Sequence, residues 1–507
     1  MGLRTSDEYR KGLQDEREVW LDGERIKDVT TDGRLRNVID SIGELYDLQH
    51  DPEYRDTLSY QPDDLDERVG LSFIEPRSQD DLVRRRHMVK TWMDWTAGMM
   101  GRSPDFMNVQ MTGYASGHKF FAEGGDQFGE NIRNYWDWLR RNDICQTHVF
   151  INPQTDRSKE VHEIKEDTAA RVVAESSEGL IIRGARMIST LAPYADEIAV
   201  LPSTYLKASP EAEPYAFAFS IPAATPGLRF ICRPPMAAPD ARLLDHPFAA
   251  RLDEQDCVAI FDDVVVPWDR VFIDRRPDLC DSGRPFNDTG TMNHMMHQFS
   301  VKNLAKAEFM LGLALAITES ISVKQFPQVQ NYLTEMVNAV ETVRSLVLTS
   351  EAECVPGPAG TVLPNEQPLW TIRTIFPQIY PRLTEIIRTV GASGLIMPPS
   401  VAELEGAQGD DIMRYYVAAH LPADRRIELF RLAFDAAVSS FAGRQELYER
   451  YFSGDPWRLG MRRHEIYPGQ EELKQRVWGY LDRTREWDQR RAREVATGTQ
   501  ASEAEQK

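Results

Sequence analysis

Two polar clusters in the first third of the chain carry residue types that can hold an anion and move a proton. Arg102 stands in the first cluster and His148 opens the second, which continues as the loop Asn152–Arg157. An arginine is cationic at every physiological pH, and an imidazole exchanges a proton near neutrality. Neither cluster has the pattern of a metal site. A permanent cation beside a titratable base suits a substrate that is held as an oxyanion, such as a phenolate.

The residues around Arg102 predict where its side chain lies. Gly101 lets the backbone approach a neighbour closely, and Ser103-Pro104-Asp105 is a signal for the start of a helix. Arg102 is therefore expected near a helix N-terminus, where the helix dipole and the guanidinium both favour an anion. The alternative is a surface or helix-capping arginine, and a single histidine such as His148 is often structural.

Three zones of different periodicity must position these clusters. Residues 1–144 show helical spacing, as from Leu82 to Trp95. Residues 145–275 change to strand patterns, with a hairpin signal between Arg171 and Gly184. Residues 276–487 return to long amphipathic helices, and residues 488–507 form a polar tail that is expected to be flexible. The prediction is a multi-domain α+β protein with an N-terminal helical domain, a middle antiparallel β domain and a C-terminal helical bundle.

Composition excludes several classes of protein. A chain of 507 residues is too long for one hydrophobic core, and a formal charge of −20 argues against nucleic acid or an anionic membrane as partner. No apolar run approaches the roughly 18 residues of a spanning helix, and the first residues lack a signal-peptide core. The five cysteines form no CxxC pair, so neither a disulfide framework nor a zinc site is predicted and a reduced cytoplasm is expected.

Motifs for nucleotide binding are missing from the sequence. No GxGxxG follows a predicted strand, and Gly124–Gly129 has the wrong spacing for one. No GxxxxGK[ST] loop occurs either. If the chain runs redox chemistry, its electrons are therefore expected to arrive on a reduced carrier made by another protein.

Four segments resemble the oxygenase components of the two-component 4-hydroxyphenylacetate 3-monooxygenase family. They are Met100–Asn108, Thr147–Arg157, Gly391–Ile396 and Phe441–Pro456, and the resemblance extends from about Leu3 to Asp482. It implies an acyl-CoA dehydrogenase-like fold and a cytoplasmic homotetramer or homodimer. It further implies a phenol monooxygenase that takes reduced FAD (FADH2) from a separate NAD(P)H:flavin reductase and uses O2, through a C4a-hydroperoxyflavin, to hydroxylate a phenolic substrate, usually ortho.

The same resemblance assigns roles to individual residues. Arg102 would grip the phenol oxygen and His148 would share its proton, which makes them the catalytic pair. Phe106 would contact the substrate, and a loop with Ser203 and Thr204 would close over it. The residues expected to bind the cofactor are His148, Val149, Phe150, Gln154, Thr155, Asp156, Arg157, Thr190, Ser453, Gly454, Asp455 and Pro456. No metal is expected.

Phe106 departs from the family, which usually has a hydrogen-bonding tyrosine at this position. The substrate is therefore left open among 4-hydroxyphenylacetate analogues, chloro- or nitrophenols that lose their substituent, and a phenolic natural-product intermediate, free or carrier-bound.

Three other functions remain as alternatives. A dehydratase of the same fold would need iron–sulfur cysteines near residues 99–106 and shortly after His294, where there are none. An acyl-CoA dehydrogenase or oxidase would need a carboxylate base late in the bundle, for which Glu446 and Glu449 are present. A flavin carrier would bind reduced FAD without converting a phenol.

Overall fold

The computed structural model describes residues 2–164 and 168–504, with side chains up to residue 496. One compact unit comprises Met1–Ser453 and a second comprises Gly454–Lys507. None of the described helices combines the length and the apolarity that crossing a membrane would require.

The N-terminal part is mainly helical, as its periodicity predicts. Helix α4 begins with a capping box between Ser78 and Asp81, and α5 begins directly after Ser103 with Pro104 in its first turn. Every residue of α5 is buried, so the helix that follows Arg102 lies in the interior of this unit. The helices are α1 Ser6–Gly12, α2 Arg36–Leu48, α3 Arg55–Leu58, α4 Gln79–Trp95, α5 Pro104–Ser116, α6 His118–Ala122 and α7 Asp126–Asn142.

The middle part contains two main sheets. A six-stranded sheet has the order β2-β1-β10-β11-β7-β6 and a four-stranded sheet has the order β12-β9-β8-β5. The strands are β1 Glu18–Leu21, β2 Glu24–Ile26, β3 Ser59–Tyr60, β4 Val69–Gly70, β5 Gln146–Val149, β6 Arg171–Glu175, β7 Gly179–Thr190, β8 Glu197–Val200, β9 Ala218–Pro222, β10 Leu228–Cys232, β11 Asp256–Pro267, β12 Val271–Ile273, β13 Val355–Pro356 and β14 Val362–Leu363.

Most strand pairs are antiparallel, as predicted, but two are parallel. β1 pairs with β10 and β5 pairs with β8 in parallel, because in each case the intervening chain returns through a long connection rather than a tight turn. The predicted hairpin is present as β6 and β7.

The C-terminal part of the first unit is a helical bundle. Its long helices α11, α12 and α13 pack on one another, and α11 also packs against α4 and α5. The helices from the β region onward are α8 Ala249–Leu252, α9 Pro277–Cys280, α10 Arg284–Asn287, α11 Thr291–Ser320, α12 Pro327–Ala352, α13 Glu366–Gly391, α14 Val401–Glu405, α15 Gly409–Tyr415, α16 Ala423–Ala437 and α17 Ser440–Tyr451. The second unit has α18 Pro456–Ile466 and α19 Gln470–Ala504.

The observed elements occur in the predicted order of helices, strands and helices. The domain limits at residues 144, 275 and 487 stay predictions, since β1 and β2 of the first zone join the sheet of the second. The polar segment after residue 487 continues helix α19 as far as Ala504.

Candidate functional site

Arg102 is a buried cation at the start of α5. Only 7% of its surface is exposed, and its backbone N–H donates to the carboxylate of Glu254. The guanidinium donates from Nη1 to the hydroxyl of Tyr448 at 2.7 Å and lies 4.3 Å from the centre of the Phe106 ring. Within the described residues, no carboxylate forms an ion pair with this guanidinium at 4.0 Å or less. This buried charge is thus left without an ion-pair partner in the part of the chain that the structure describes, an arrangement that favours an incoming anion.

His148 lies in β5 and is 5% exposed. Its Nδ1 is 3.2 Å from Oε1 of Gln110, and because a carbonyl oxygen only accepts, Nδ1 carries the proton in this amide orientation. Nε2 is then a hydrogen-bond acceptor. Burial, followed by the charge of Arg102, holds the pKa of His148 well below its usual 6.5. The imidazole is therefore neutral near pH 7 and can accept a proton from a bound phenol.

Phe106 joins the two residues into one site. Its ring centre is 5.5 Å from that of His148, while the Arg102 guanidinium lies over the same ring. Phe106 and Gln110 are four residues apart on α5 and so share a helix face. The sequence clusters around Arg102 and His148 therefore meet in the structure, although they come from a helix and a strand that are distant in the chain.

Tyr448 and Gln110 contact the two predicted catalytic residues, but sequence reasoning assigned neither a role. Tyr448 lies on α17, its ring stacks on Phe452 with centres 4.9 Å apart, and burial raises its pKa above the ordinary value. Its hydroxyl is thus neutral and accepts the Arg102 hydrogen bond. Tyr448 lies in the stretch Phe441–Pro456 that resembles the family, and this resemblance is the only feature of the sequence that could have pointed to it. For Gln110 the only such feature is its spacing of four residues from Phe106 on a predicted helix.

Gly101 makes room for this contact. A Cβ atom on Gly101 would lie less than 3.0 Å from the ring and the hydroxyl of Tyr448, which is closer than side chains tolerate. The absence of a side chain at position 101 is thus what lets Tyr448 hold the guanidinium.

We expect Gly101→Ala to displace Tyr448 and Arg102 and to lower hydroxylation by about 10²-fold, since small misplacements of reacting groups carry costs of that size. Steady-state kinetics with reduced FAD would measure it. Gly443→Ala is the matched control, because Gly443 lies on the same helix α17 with no atom within 4 Å of an added Cβ. Equal activity of the two variants would contradict the expectation.

A buried charge cluster lies behind Tyr448. Lys302 and Lys306 of α11 both donate to Oε1 of Glu449 at 2.5 Å, and the Lys302 ammonium is 5.1 Å from the centre of the Tyr448 ring. Burial lowers the pKa of Lys302 to about 7. Glu449 is thus committed to two lysines, which argues against the exposed carboxylate base that an acyl-CoA dehydrogenase would need.

Thr190 lies at the end of β7, next to the residue that precedes His148. The Thr147 hydroxyl donates to the Thr190 carbonyl, and the Thr190 hydroxyl donates to Asp256 at 2.8 Å. Burial alone would raise the pKa of Asp256, but bidentate hydrogen bonds from Arg444 hold it below the usual range. Asp256 is therefore a fixed anion that orients Thr190.

The backbone around Thr190 is strained. Ile188 has φ +60° and Leu191 has φ +74°, in the left-handed region that residues other than glycine rarely adopt. Ile188 is nonetheless 55% exposed, so a hydrophobic side chain faces outward beside Thr190. Strain and an exposed apolar side chain at one position fit a site that a flat aromatic group covers.

Four more predicted residues lie at or near the edge of the four-stranded sheet, namely Val149, Phe150, Ser203 and Thr204. β5 and β8 are parallel, so Val149 and Phe150 end beside the segment that carries Ser203 and Thr204, and Leu201 N–H donates to Val149 at 2.9 Å. Phe150 is 5.1 Å from His148 between ring centres. Ser203 is buried and its hydroxyl accepts from the backbone of Tyr205.

The loop Gln154–Arg157 makes its described contacts away from Arg102 and His148. Gln154 and Thr155 are exposed, and Asp156 bonds to Ser158 and forms an ion pair with Lys159 at 3.1 Å. The residues before this loop are held by Arg186, which bonds to Phe150 and Asn152. No described contact joins residues 154–157 to Arg102 or His148.

Ser453 and the residues after it fall on either side of the division into units. Ser453 ends the first unit, where its carbonyl accepts from Arg373 at 2.7 Å, and Phe452 before it lies 5.7 Å from the Arg102 guanidinium. Gly454 begins the second unit with φ +123°, and Asp455 caps α18, which starts at Pro456. Ser453 thus directly follows a residue that contacts the Arg102 guanidinium.

Two cavities of the described structure are lined by none of the predicted site residues. A cavity of about 310 Å³ is lined by Met397, Tyr415 and Phe430 among others, and none of the predicted site residues lines it. Within residues 2–164 and 168–504, no group of three or more His, Cys, Asp and Glu side chains could hold a metal ion.

Known proteins match almost the whole chain. Residues 5–273 match the N-terminal region, and residues 282–478 the C-terminal region, of the 4-hydroxyphenylacetate 3-hydroxylase family. The 4-hydroxyphenylacetate 3-monooxygenase oxygenase component of Thermus thermophilus is 39% identical over 480 residues, which cover 94% of this chain and 97% of that protein.

Solved structures agree with this match. The crystal structure of an oxygenase component of 4-hydroxyphenylacetate 3-monooxygenase, complexed with FAD and 4-hydroxyphenylacetate, has a TM-score of 0.90 at 39% identity and covers 95% of this chain and 99% of its own. An archaeal 4-hydroxybutyryl-CoA dehydratase from N. maritimus has a TM-score of 0.84 at 17% identity, covering 94% and 95% of the two chains. The latter likeness concerns the fold alone, and the predicted fold class is confirmed.

Proposed function

The chain belongs to the 4-hydroxyphenylacetate 3-hydroxylase family, and we propose that Arg102 and His148 are the residues with which it binds and activates a phenol. It is the oxygenase component of a two-component flavin monooxygenase, which hydroxylates a phenolic substrate with O2 and with FAD that a separate reductase has reduced. One observation supports the proposed residue roles above all others. A buried guanidinium that forms no ion pair with a carboxylate in the described part of the chain and a neutral imidazole flank the same phenylalanine ring.

The chemistry of the pair follows from their protonation states. The phenol hydroxyl donates to Nε2 of His148, which is the free acceptor because Nδ1 bonds to Gln110. As the proton moves to His148, charge develops on the phenol oxygen and Arg102 stabilises it. The ring becomes richer in electrons ortho to that oxygen, which is where the family hydroxylates.

The residues around Thr190 fit FAD. When bound, reduced FAD activates O2 and supplies the oxygen atom that enters the ring. The exposed Ile188 would cover part of the flat isoalloxazine, and the Thr190 hydroxyl, oriented by Asp256, would bond to its edge. Amide and guanidinium groups of Gln154 and Arg157 suit the polar parts of the cofactor. Thr155, Asp156 and the residues Ser453–Pro456 stay cofactor contacts that the family resemblance predicts. The buried ring of Phe106, together with the half-buried ring of Phe150, excludes water from the site.

Phe106 directs the choice of substrate. It cannot donate a hydrogen bond to the phenol oxygen, so the substrate oxygen depends on Arg102 and His148 alone. Ser203 and Thr204, at the end of the neighbouring strand, would contact the substituent para to the hydroxyl. We expect the preferred substrate to be a phenol with a para substituent, with 4-hydroxyphenylacetate as one candidate and halogenated or carrier-bound phenols as others.

We expect Phe106→Tyr to raise kcat/KM for 4-hydroxyphenylacetate by about 2–10-fold, since one added hydrogen bond contributes about 0.5–1.5 kcal/mol. The measurement compares a panel of phenols with free reduced FAD and O2, with products identified by mass. Phe150→Tyr is the control, because that ring contacts His148 but not Arg102. A panel in which no phenol gains oxygen would overturn the proposed function. The alternative of a flavin carrier, which binds reduced FAD without converting a phenol, would then be left.

We propose that the chain assembles as a homotetramer or homodimer through its helical bundle. Large apolar side chains on α11 and α12 are exposed in the single chain, among them Leu315, Val337 and Leu348. Such side chains on helix surfaces are typical of interfaces between subunits. Light scattering of the purified protein would measure the mass, and a monomer at micromolar concentration would contradict assembly.

A further inference from the structure

Two buried cysteines form a pair on neighbouring strands of the six-stranded sheet. Cys232 ends β10, Cys257 is the second residue of β11, and the two are directly opposite in the antiparallel register. Their Sγ atoms are 3.3 Å apart, and neither is in a disulfide. Nothing in the proposed reaction uses these thiols, although they adjoin the site through Asp256.

The hydrogen-bond pattern shows that this pair is of the closely spaced type. Arg233 N–H donates to the carbonyl of Asp256, at 3.3 Å, so the ladder bond lies beside Cys232 and Cys257 rather than between them. Such non-hydrogen-bonded pairs have Cα atoms about 4.5 Å apart. A disulfide accepts Cα separations of about 4.4–6.8 Å, so these strands need not move for one to form.

We propose that Cys232 and Cys257 are an oxidation site that hydrogen peroxide converts into a disulfide. The thiolate of Cys232 attacks one peroxide oxygen, the O–O bond breaks, and a sulfenic acid and one water result. The Cys257 sulfur then attacks the Cys232 sulfur, the S–O bond breaks, and a second water leaves. Two thiols lose two protons and two electrons, and one peroxide is reduced to two waters.

The order of attack follows from exposure and from acidity. Cys232 is 9% exposed and Cys257 only 2%, so peroxide reaches Cys232 first. Burial, together with Cys232 itself, raises the pKa of the Cys257 thiol well above 9, which leaves Cys257 to resolve the sulfenic acid. Cys145 and Cys280 are equally buried, but neither has a second thiol within contact distance among the described residues.

The site lies close to the place where peroxide would arise. Cys257 follows Asp256, whose carboxylate holds the Thr190 hydroxyl, and Cys257 pairs with Ser189 on β7. This link to the reaction rests on the proposed function, because turnover of reduced flavin without a phenol to accept oxygen releases hydrogen peroxide. The disulfide would then join β10 covalently to β11 next to Asp256, which accepts hydrogen bonds from Arg233 and Arg444.

The first experiment adds hydrogen peroxide to the purified full-length protein without flavin. After denaturation under a thiol-blocking reagent, we expect free thiols to fall from five to three and the intact mass to fall by two hydrogen atoms. Digestion should yield one cross-linked peptide pair that contains both cysteines, and a reductant should restore it. The midpoint of thermal unfolding of the cross-linked protein should exceed that of the reduced protein.

Matched variants make this result specific. Cys232→Ser and Cys257→Ser should form no intramolecular cross-link, whereas Cys145→Ser should form it like the wild type. Overoxidation of Cys232 to a sulfinic acid in the wild type, or unchanged thiols, would overturn the proposal.

The second experiment separates this site from the proposed function. Reduced FAD and O2 without a phenol replace the added peroxide, and catalase is included in a parallel sample. Free reduced FAD also makes peroxide in solution, where catalase destroys it, so a cross-link that persists with catalase supports supply by the enzyme itself, and one that catalase abolishes would overturn that supply. A cross-link with added peroxide but none under these conditions would overturn the link to turnover and leave the oxidation site standing.

Discussion

Replacing His148 with alanine is expected to lower the rate of phenol hydroxylation by about 10²–10⁴-fold, because the proton acceptor of the phenol is lost. The structure gives a reason to expect a loss of rate near the upper limit of this range. His148 is buried and neutral, and because its Nδ1 bonds to Gln110, its Nε2 is left to accept the proton. Rapid mixing of the reduced FAD complex with O2 and a phenol, with quantification of product and peroxide, measures both the rate and the coupling.

The acidity of the substrate distinguishes a base from a merely structural histidine. A phenol that is already ionised at the assay pH needs no proton acceptor, so His148→Ala should slow nitrophenols less than unsubstituted phenols. An equal loss for all phenols would show that His148 supports the site without accepting the proton. Product formation that stays fully coupled to oxygen use in His148→Ala would remove the assigned role altogether.

The pH profile offers a second readout through Gln110. The folded pKa of His148 is held below 6.5, so the neutral form persists as pH falls toward that depressed value, and activity should decline only in the acid range. In Gln110→Glu a carboxylate next to Nδ1 would favour the imidazolium, so the acid limb should move upward by about 1–3 pH units. Gln110→Leu is the uncharged control, and it should not move the limb upward.

The sequence predicted the local parts of the site, whereas the contacts between distant segments came from the structure. Ser103-Pro104-Asp105 predicted the start of α5, and the order of helices and strands was correct because each periodicity is a property of neighbouring residues. Tyr448 and Arg102 are 346 positions apart, so no local pattern could relate them. No local pattern could predict the pairing of β1 with β10 either, because the two strands belong to different predicted domains.

One helix shows how local periodicity can mislead. The apolar spacing from Arg426 to Phe441 is typical of one continuous helix, but the structure has α16 ending at Ala437 and α17 beginning at Ser440. Val438 leaves the helical conformation, and the Ser439 hydroxyl accepts from Ala442 N–H as an N-cap. Tyr448 and Arg444 lie on α17, after this break, where they contact Arg102 and Asp256.

Replacing Arg102 with glutamine is the second change with a large expected effect. Removing a donor that stabilises a developing oxyanion typically lowers the rate by about 10²–10³-fold. The loss should be in this range because the Arg102 guanidinium is buried and forms no ion pair with a carboxylate among the described residues, so its charge is available to the substrate. Oxygen consumption should continue while product formation falls, so that hydrogen peroxide accumulates in its place.

Two companion variants separate the charge of Arg102 from its position. Tyr448→Phe keeps the cation but removes the acceptor of its hydrogen bond at 2.7 Å, so we expect a smaller loss, of about 10-fold. Arg102→Lys keeps a charge without the planar donor pair, so it should fall between glutamine and the wild type. A glutamine variant that hydroxylates like the wild type would contradict the proposal.

The glutamine variant also carries a prediction about its neighbour. The charge of Arg102 is one of the two causes that depress the pKa of His148, burial being the larger. Without that charge the pKa of His148 should rise, and the acid limb of the remaining activity should begin at a higher pH than in the wild type. A pH profile of Arg102→Gln with an unchanged acid limb would mean that the guanidinium and the imidazole do not share one electrostatic environment, and the assignment of a common substrate oxygen to both residues would then be wrong.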